Sequence, residues 1–245
     1  MDTIVDLHTH SVLSRHAYSS VTENIEYAYS KGLKVYGISE HQYDDFNVGA
    51  HHFVFLNGPR AIPNYWHEMR VLKGAELNIL DGHFDVDKIK PQILDYCIAS
   101  MHTYVYSKDH TAKENTDNYI MAINTPYINI IGHMDSSNYP CDYEAVIKEA
   151  SNKNVLIELN NASLNPNGSR KNAKEIDIEI LKYCVKYNCP IIINSDAHIK
   201  YDIGNFDRAN SLLEEISFPK ELIVNNDLEL LNKYIPLYVF KDVAE

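Results

Sequence analysis

Seven short apolar segments recur along the chain, and longer segments with helical spacing separate most of them. The short segments are rich in valine, isoleucine and tyrosine and nearly apolar throughout, which is typical of parallel strands covered on both faces. They span residues 3–7, 34–39, 70–77, 94–100, 127–132, 155–160 and 190–195. This alternation predicts an α/β fold, either a closed (β/α) barrel or an open doubly wound sheet.

Helix boundaries are marked by capping residues. Ser20 followed by Glu23 predicts a capping box, and Gly32 predicts the end of that helix. Asp142 is a predicted N-cap. Further helices are predicted over 142–153, 174–187 and 206–216. The stretch 44–69 contains glycine, proline and aromatic residues, and we predict a long irregular loop over one mouth of the barrel.

Length and charge narrow the class of protein. The 245 residues predict one domain spanning residues 1–245, large enough to bury a core without disulfides. A net charge of −12 argues against a broad basic face for nucleic acid. No signal peptide, membrane-spanning run or C-x-x-C pair is visible, so we expect a cytoplasmic protein with reduced cysteines and no membrane partner. The sequence leaves open whether the protein forms a homo-oligomer.

Metal-ligand side chains lie at or near the ends of six of the seven predicted strands. Because the carboxyl ends of parallel strands share one face, these side chains are expected to converge. Residues two apart in an extended chain point to the same side, so a His-x-His or Asp-x-His pair can aim both side chains into one cavity. The residues are His8, His10, His16, His41, Glu76, His102, His133, Asp196 and His198.

Such a cluster is unfavourable without a cation. Burying imidazoles and carboxylates without partners costs free energy, and divalent metals prefer these nitrogen and oxygen ligands. The sequence therefore predicts a metal site. His51 and His52 are predicted at the pocket mouth, whereas His67, His83 and His110 are interpreted as surface or packing residues.

The ordered motifs "DLHTHS", "SEH", "GAE", "MH", "GH" and "SDAH" resemble those of the PHP (polymerase and histidinol phosphatase) superfamily. The resemblance covers residue 6 to about 200. It is strongest to the small stand-alone bacterial phosphatases of the YcdX type, because the chain also has "HAYS", a "HH" pair and "NN" in matching positions. It implies a distorted seven-stranded (β/α) barrel, similar to a TIM barrel, with three bound metal ions.

The resemblance also implies the chemistry and the ligands. The expected activity is hydrolysis of phosphate monoesters of small molecules by a metal-bridging hydroxide. The catalytic residues would be Glu76, Asp196 and His198. Zinc suits the ligands best, with manganese or iron also compatible. The implied ligand sets are His8, His10, Glu76 and Asp196 for one ion, Glu76, His102 and His133 for a second, and His16, His41 and His198 for the third.

Substrate contacts are harder to assign. Arg170 is the first candidate for gripping phosphate, because a guanidinium forms paired hydrogen bonds with it. Arg60 and His52 are further candidates, and specificity is expected in 44–69, 104–118 and 161–172. Asp6 is predicted to orient a ligand histidine. Asp135 stands outside the family motif and is interpreted as a solvated loop residue, with an extra acid near the site as the alternative.

Other functions remain possible at this point. Amidohydrolases also begin with His-x-His after the first strand, although Glu76, His16 and the Asp-x-His ending favour a phosphoesterase. Within the superfamily, histidinol phosphate is a possible substrate, whereas a polymerase-linked exonuclease is disfavoured by the acidic charge. A non-catalytic metal-binding barrel is the last alternative.

Overall fold

Seven parallel strands and one short antiparallel strand form the central sheet. The computed structural model describes residues 3–42, 52–84 and 90–237. The parallel strands follow the order β1-β2-β4-β5-β6-β7-β8, and β3 pairs with β4. The strands are β1 (Val5–Asp6), β2 (Val35–His41), β3 (Tyr65–Trp66), β4 (Met69–Asn78), β5 (Tyr96–Ser100), β6 (Ile130–Ile131), β7 (Leu156–Asn160) and β8 (Ile191–Asn194).

Helices cover the outside of this sheet. They are α1 (Val21–Ser30), α2 (His52–Ala61), α3 (Ala112–Ile123), α4 (Tyr143–Lys153), α5 (Ala173–Tyr187), α6 (Asp207–Glu215) and α7 (Leu228–Leu231). The Ser20–Glu23 capping box and the Asp142 cap, which accepts from the amide of Ala145, are confirmed. Among the described residues, none of the helices combines the length and apolarity needed to span a bilayer.

The sheet curves into a nearly closed barrel, which confirms the predicted fold class. Thr9 and Ala197 form a parallel bridge between the segments that follow β1 and β8. Below this bridge, the Asn225 side chain accepts from the amide of Ile193 at 2.7 Å and donates to the carbonyl oxygens of Val5 and Ile193. Asn225 thus satisfies backbone groups where β1 and β8 do not pair directly.

A large aromatic side chain fills the barrel interior. Tyr96 is fully buried, and its hydroxyl donates to the carbonyl oxygen of Leu7. The ring occupies the space beside Gly37 and Gly74, and a Cβ at Gly74 would lie 2.5 Å from ring atoms. The same apolar cluster includes Leu231 and other residues of the C-terminal segment. This packing closes the end of the barrel opposite the strand carboxyl termini.

The prediction of an irregular loop over 44–69 is wrong for much of that range. Residues 52–61 form α2 and residues 65–66 form β3, whereas residues 43–51 lie outside the described part of the chain. Phe55 is buried in the outer core, so α2 is the crossover helix between β2 and β4. Gly58 and Pro59 suggested a loop, but the apolar residues around them pack as one helical face. Helix α3, which begins within the predicted specificity segment 104–118 and extends beyond it, was not predicted.

Candidate metal centre

The strand ends deliver the predicted ligands to one place. His41 is the last residue of β2, and Glu76 lies near the end of β4. The other predicted ligands follow β1, β5, β6 and β8 within a few residues, apart from His16, which follows a short 3₁₀ helix over Val12–Ser14. The fold therefore gathers nine side chains from six strand ends and one loop.

Glu76 is at the centre of the cluster. Its Oε2 lies 2.8 Å from His41 Nδ1 and 3.2 Å from His8 Nε2, and its Oε1 lies 2.9 Å from His133 Nε2 and 3.3 Å from His102 Nε2. A carboxylate that contacts four imidazoles offers, together with them, the oxygen and nitrogen ligands that divalent cations prefer.

Asp196 and the remaining histidines, His10, His16 and His198, complete the cluster. Asp196 Oδ1 lies 3.4 Å from His10 Nε2 and 3.6 Å from His8 Nε2. The Nε2 atoms of His198 and His16 are 3.0 Å apart. These contacts join the sets assigned to separate ions into one continuous group.

Several of the predicted ligand atoms are buried and close to one another, but their contacts do not have hydrogen-bond geometry, and they have no hydrogen-bond partner among the described residues. They are His8 Nε2, His10 Nε2, His41 Nδ1 and Glu76 Oε2. Polar atoms left in this state cost free energy, and a cation that accepts their lone pairs removes the cost. Three-residue groups with ligand atoms within 4.8 Å of one another are His10–His41–His198, His8–His10–Glu76 and His41–Glu76–His102. The cluster therefore fits divalent metal ions.

The opposite nitrogens of the histidine rings are held in place. His102 Nδ1 lies 2.8 Å from Asn78 Oδ1, His16 Nδ1 lies 2.8 Å from the carbonyl oxygen of Ser14, and His198 Nδ1 lies 2.9 Å from that of Asp196. Donation to these oxygens fixes the tautomer and directs the Nε2 lone pair inward, as in metal-binding histidines.

Glu158 is a functional residue that the sequence analysis missed. This buried carboxylate of β7 accepts from His8 Nδ1 at 2.7 Å and from the amide of His133 at 2.8 Å. Asn160 and Asn194 also donate to it. The missed signal was a charged residue inside the apolar segment "VLIELN", because a carboxylate there must have a buried partner.

Glu40 was missed in the same way. It precedes His41 in "SEH" and accepts from the hydroxyls of Ser11 and Ser14. Burial raises the pKa of Glu40, and these hydrogen bonds oppose the shift. Ser14 Oγ accepts in turn from the amide of His41. The network ties the loop after β1 to the end of β2.

The electric field of the cluster favours charged carboxylates. Burial raises the pKa of Glu76, but His8, His41 and His102 outweigh it and hold that pKa well below its usual value. The pKa of His10 is lowered well below its usual value by burial and by His41 and His198. A neutral imidazole and a charged carboxylate are the forms that ligate metals.

Two site residues adopt left-handed backbone conformations. Asp196 has φ 54° and His133 has φ 25°. Non-glycine residues adopt such angles at a cost, which persists where the surrounding structure enforces them. The bends turn both side chains towards Glu76 and its neighbours.

A cavity of about 300 Å³ opens over the cluster. Arg170 lines it, and its Nη1 donates to Ser163 Oγ at 3.1 Å and to Asp196 Oδ2 at 3.3 Å. Arg60 is exposed at the end of α2 and is not brought to this cavity. Three other lining residues, Tyr104, Lys108 and Ser169, lie in the segments where specificity was predicted, whereas Ser136, Asn138 and Tyr139 lie outside them.

Two predicted aspartate roles are wrong. Asp6 accepts from the backbone amides of Ser195 and Gly204, so it anchors the segment after β8, and Glu158 holds the ligand histidine instead. Asp135 is not solvated: it is buried, and neither carboxylate oxygen has a hydrogen-bond partner among the described residues.

The remaining histidines lie away from the cluster. His67 stacks on Tyr29, and His83 is exposed beside Asp81. His110 stacks on Tyr106. The prediction for His51 lies outside the described residues, and the one for His52 concerns a side chain outside them.

Comparisons with known proteins found sequence relatives and solved structures of the same fold. No family model matches the chain. A "Probable phosphatase" of Clostridium acetobutylicum is 39% identical over 238 residues, which cover 96% of this chain and 95% of the relative. The Lactococcus lactis histidinol phosphate phosphatase, solved with zinc, L-histidinol and phosphate, matches with a TM-score of 0.59 and 16% identity over 89% of this chain and 95% of that one.

The fold alone does not determine the activity. A chain of archaeal ribonuclease P, solved with mature tRNA, matches with a TM-score of 0.57 and 18% identity over 98% of this chain and the whole of that one. The sequence relatives are more specific, because their similarity is high and spans almost the whole chain. The chain therefore belongs to the PHP-type stand-alone phosphatases.

Proposed function

We propose that this phosphatase hydrolyses phosphate monoesters of small molecules at a centre of three divalent metal ions. The observation that carries the proposal is the set of buried, unpartnered ligand atoms on His8, His10, His41 and Glu76. They face one another beneath an open cavity, so a ligand that enters the cavity reaches the same space.

The residues present suit three ions. One ion would be held by His8, His10, Glu76 and Asp196, and a second by Glu76, His102 and His133. The third would be held by His16, His41 and His198. Zinc is the first expectation, because most ligands are imidazoles, and manganese and iron also accept this set.

Several residues of the site would then have a defined chemical role. When bound, divalent cations activate water and neutralise phosphate charge. Glu76 and Asp196 supply the negative charge that binds the cations, and Glu158 holds His8 in the required orientation. Arg170 uses Nη1 for Ser163 and Asp196, so the rest of its guanidinium can donate to a phosphate oxygen.

Replacement of one ligand tests the proposal. His8→Ala and Asp196→Ala should each lower turnover of an aryl phosphate by orders of magnitude, with the far-ultraviolet circular dichroism unchanged. His83→Ala is the matched control, because His83 is exposed and distant from the cluster. Wild-type turnover in either ligand variant contradicts the proposal.

A further inference from the structure

Lys108 stands out among the residues that line the cavity. It lies in the segment between β5 and α3, with an exposed side chain. Within the described ranges, its ammonium has no hydrogen bond or ion pair. Arg170, in contrast, is held by Asp196 and Ser163.

The charge of the cavity lining differs from that of the whole chain. The chain has 34 acidic and 22 basic residues. The cavity lining nevertheless includes Lys108 and Arg170, and its only carboxylate among the described residues is that of Asp196. Because Asp196 faces Arg170 and the histidines, no carboxylate of the described residues pairs with Lys108.

The cavity has room for more than a phosphate. Its volume of about 300 Å³ is many times the roughly 10–15 Å³ that one water molecule needs. A phosphate at the histidine cluster fills only part of that space. The remaining lining combines the polar side chains of Ser136, Asn138 and Ser169 with the rings of Tyr104 and Tyr139, so it suits a leaving group that carries polar groups.

We propose that the natural substrate carries a second anionic group, a carboxylate or another phosphate, which binds Lys108. The inference rests on the proposed function, because it assumes that the reacting phosphate lies at the histidine cluster. An anion on the leaving group would neutralise an otherwise unpaired cation. An ester with a cationic leaving group, such as histidinol phosphate, would instead direct its ammonium towards Lys108.

Two esters that differ in one group test this proposal. In 3-phosphoglycerate a carboxylate replaces the hydroxymethyl group of glycerol 3-phosphate, and the phosphate end is the same. For the metal-loaded wild type, we expect kcat/KM to be about three- to tenfold higher for 3-phosphoglycerate. Histidinol phosphate serves as the cationic probe and should be the poorest of the three. Added salt should reduce the preference, because Lys108 is exposed.

A charge-removing variant assigns the preference to Lys108. Lys108→Gln should raise KM for 3-phosphoglycerate alone, leave kcat unchanged, and bring the ratio of the two kcat/KM values close to one. The control is Lys113→Gln, because Lys113 is a highly exposed lysine of α3 that pairs with Asp117. This control should keep the wild-type ratio.

The outcomes separate the two proposals. Hydrolysis of all three esters without a preference for the anionic one, or a preference that Lys108→Gln retains, overturns the role of Lys108 alone. If the metal-loaded wild type hydrolyses neither these esters nor an aryl phosphate, the proposed function itself fails, and the role of Lys108 fails with it.

Discussion

Glu158 connects two ligand histidines to the barrel, so its replacement tests how the site is held. Its Oε1 accepts from His8 Nδ1 at 2.7 Å and from Asn194 Nδ2 at 2.8 Å. Its Oε2 accepts from the amide of His133 at 2.8 Å and from Asn160 Nδ2 at 3.1 Å. In Glu158→Gln an NH₂ group replaces one oxygen, and two of the four donors then face a donor.

The expected cost follows from these contacts. A buried donor left without an acceptor costs about 1–3 kcal/mol, so two such donors should lower the free energy of unfolding by about 2–6 kcal/mol. Metal affinity should fall by about 10- to 100-fold, because the ring of His8 is no longer held in one tautomer and orientation. Turnover at limiting metal should fall in proportion to occupancy.

Competition with a coloured chelator measures the affinity of the folded protein for zinc. Urea denaturation of the metal-free protein measures the free energy of unfolding. Glu175→Gln is the control, because Glu175 is exposed on α5. Wild-type zinc affinity and stability in Glu158→Gln would refute the reasoning.

Three further variants probe the barrel. Burial, together with nearby carboxylates, raises the pKa of Asp177 well above its usual value. Because the unfolded state loses this proton at a lower pH than the folded state does, the carboxyl lowers the stability of the fold once the pH exceeds about 4, the unfolded pKa. Asp177→Asn should thus raise the melting temperature at pH 8, with the difference vanishing near pH 4, as thermal melts across pH would show. Gly74→Ala should cost about 1–3 kcal/mol in urea denaturation, because its Cβ meets the Tyr96 ring at 2.5 Å. Asn225→Ala should cost about 3 kcal/mol or more by the same method, because the amide of Ile193 and two carbonyls lose their partner.

Each of these variants has a matched control. Glu179→Gln lies two residues after Asp177 but is exposed, so its melting temperature should not depend on pH in this way. In Gly58→Ala, the added Cβ in α2 meets one side-chain atom among the described residues, at 3.7 Å, and should not destabilise the protein. Asn152→Ala is exposed and should be neutral. If a variant and its control behave alike, the physical reason given for that variant is wrong.

The sequence predicted the parts of the fold that depend on local pattern. Parallel strands buried on both faces require apolar segments, and helix caps require particular residues, so both were visible. Helix α2 was mistaken for a loop, because Gly58 and Pro59 are loop signals that tertiary packing of Phe55 overrides. Spacing alone also did not reveal that Asn225 joins β1 to β8.

The candidate site also contains residues that the sequence predicted and residues that it did not. Residues that follow strands, such as His8 and His102, could be assigned to one face, because strand polarity fixes where they lie. Glu158 lies inside a strand, and Asp135 is buried by its surroundings. The role of each side chain therefore depends on which face of the barrel is closed. Pattern in one sequence does not contain that information, and Asp6 was therefore given the role that belongs to Glu158.

The most direct test of the account is a metal titration of the stripped protein with turnover measured at each step. The account predicts no hydrolysis of an aryl phosphate without metal, then turnover that rises with bound zinc or manganese and saturates at about three ions per chain. Full turnover by protein shown to contain no metal, or failure to take up any divalent ion, would contradict it.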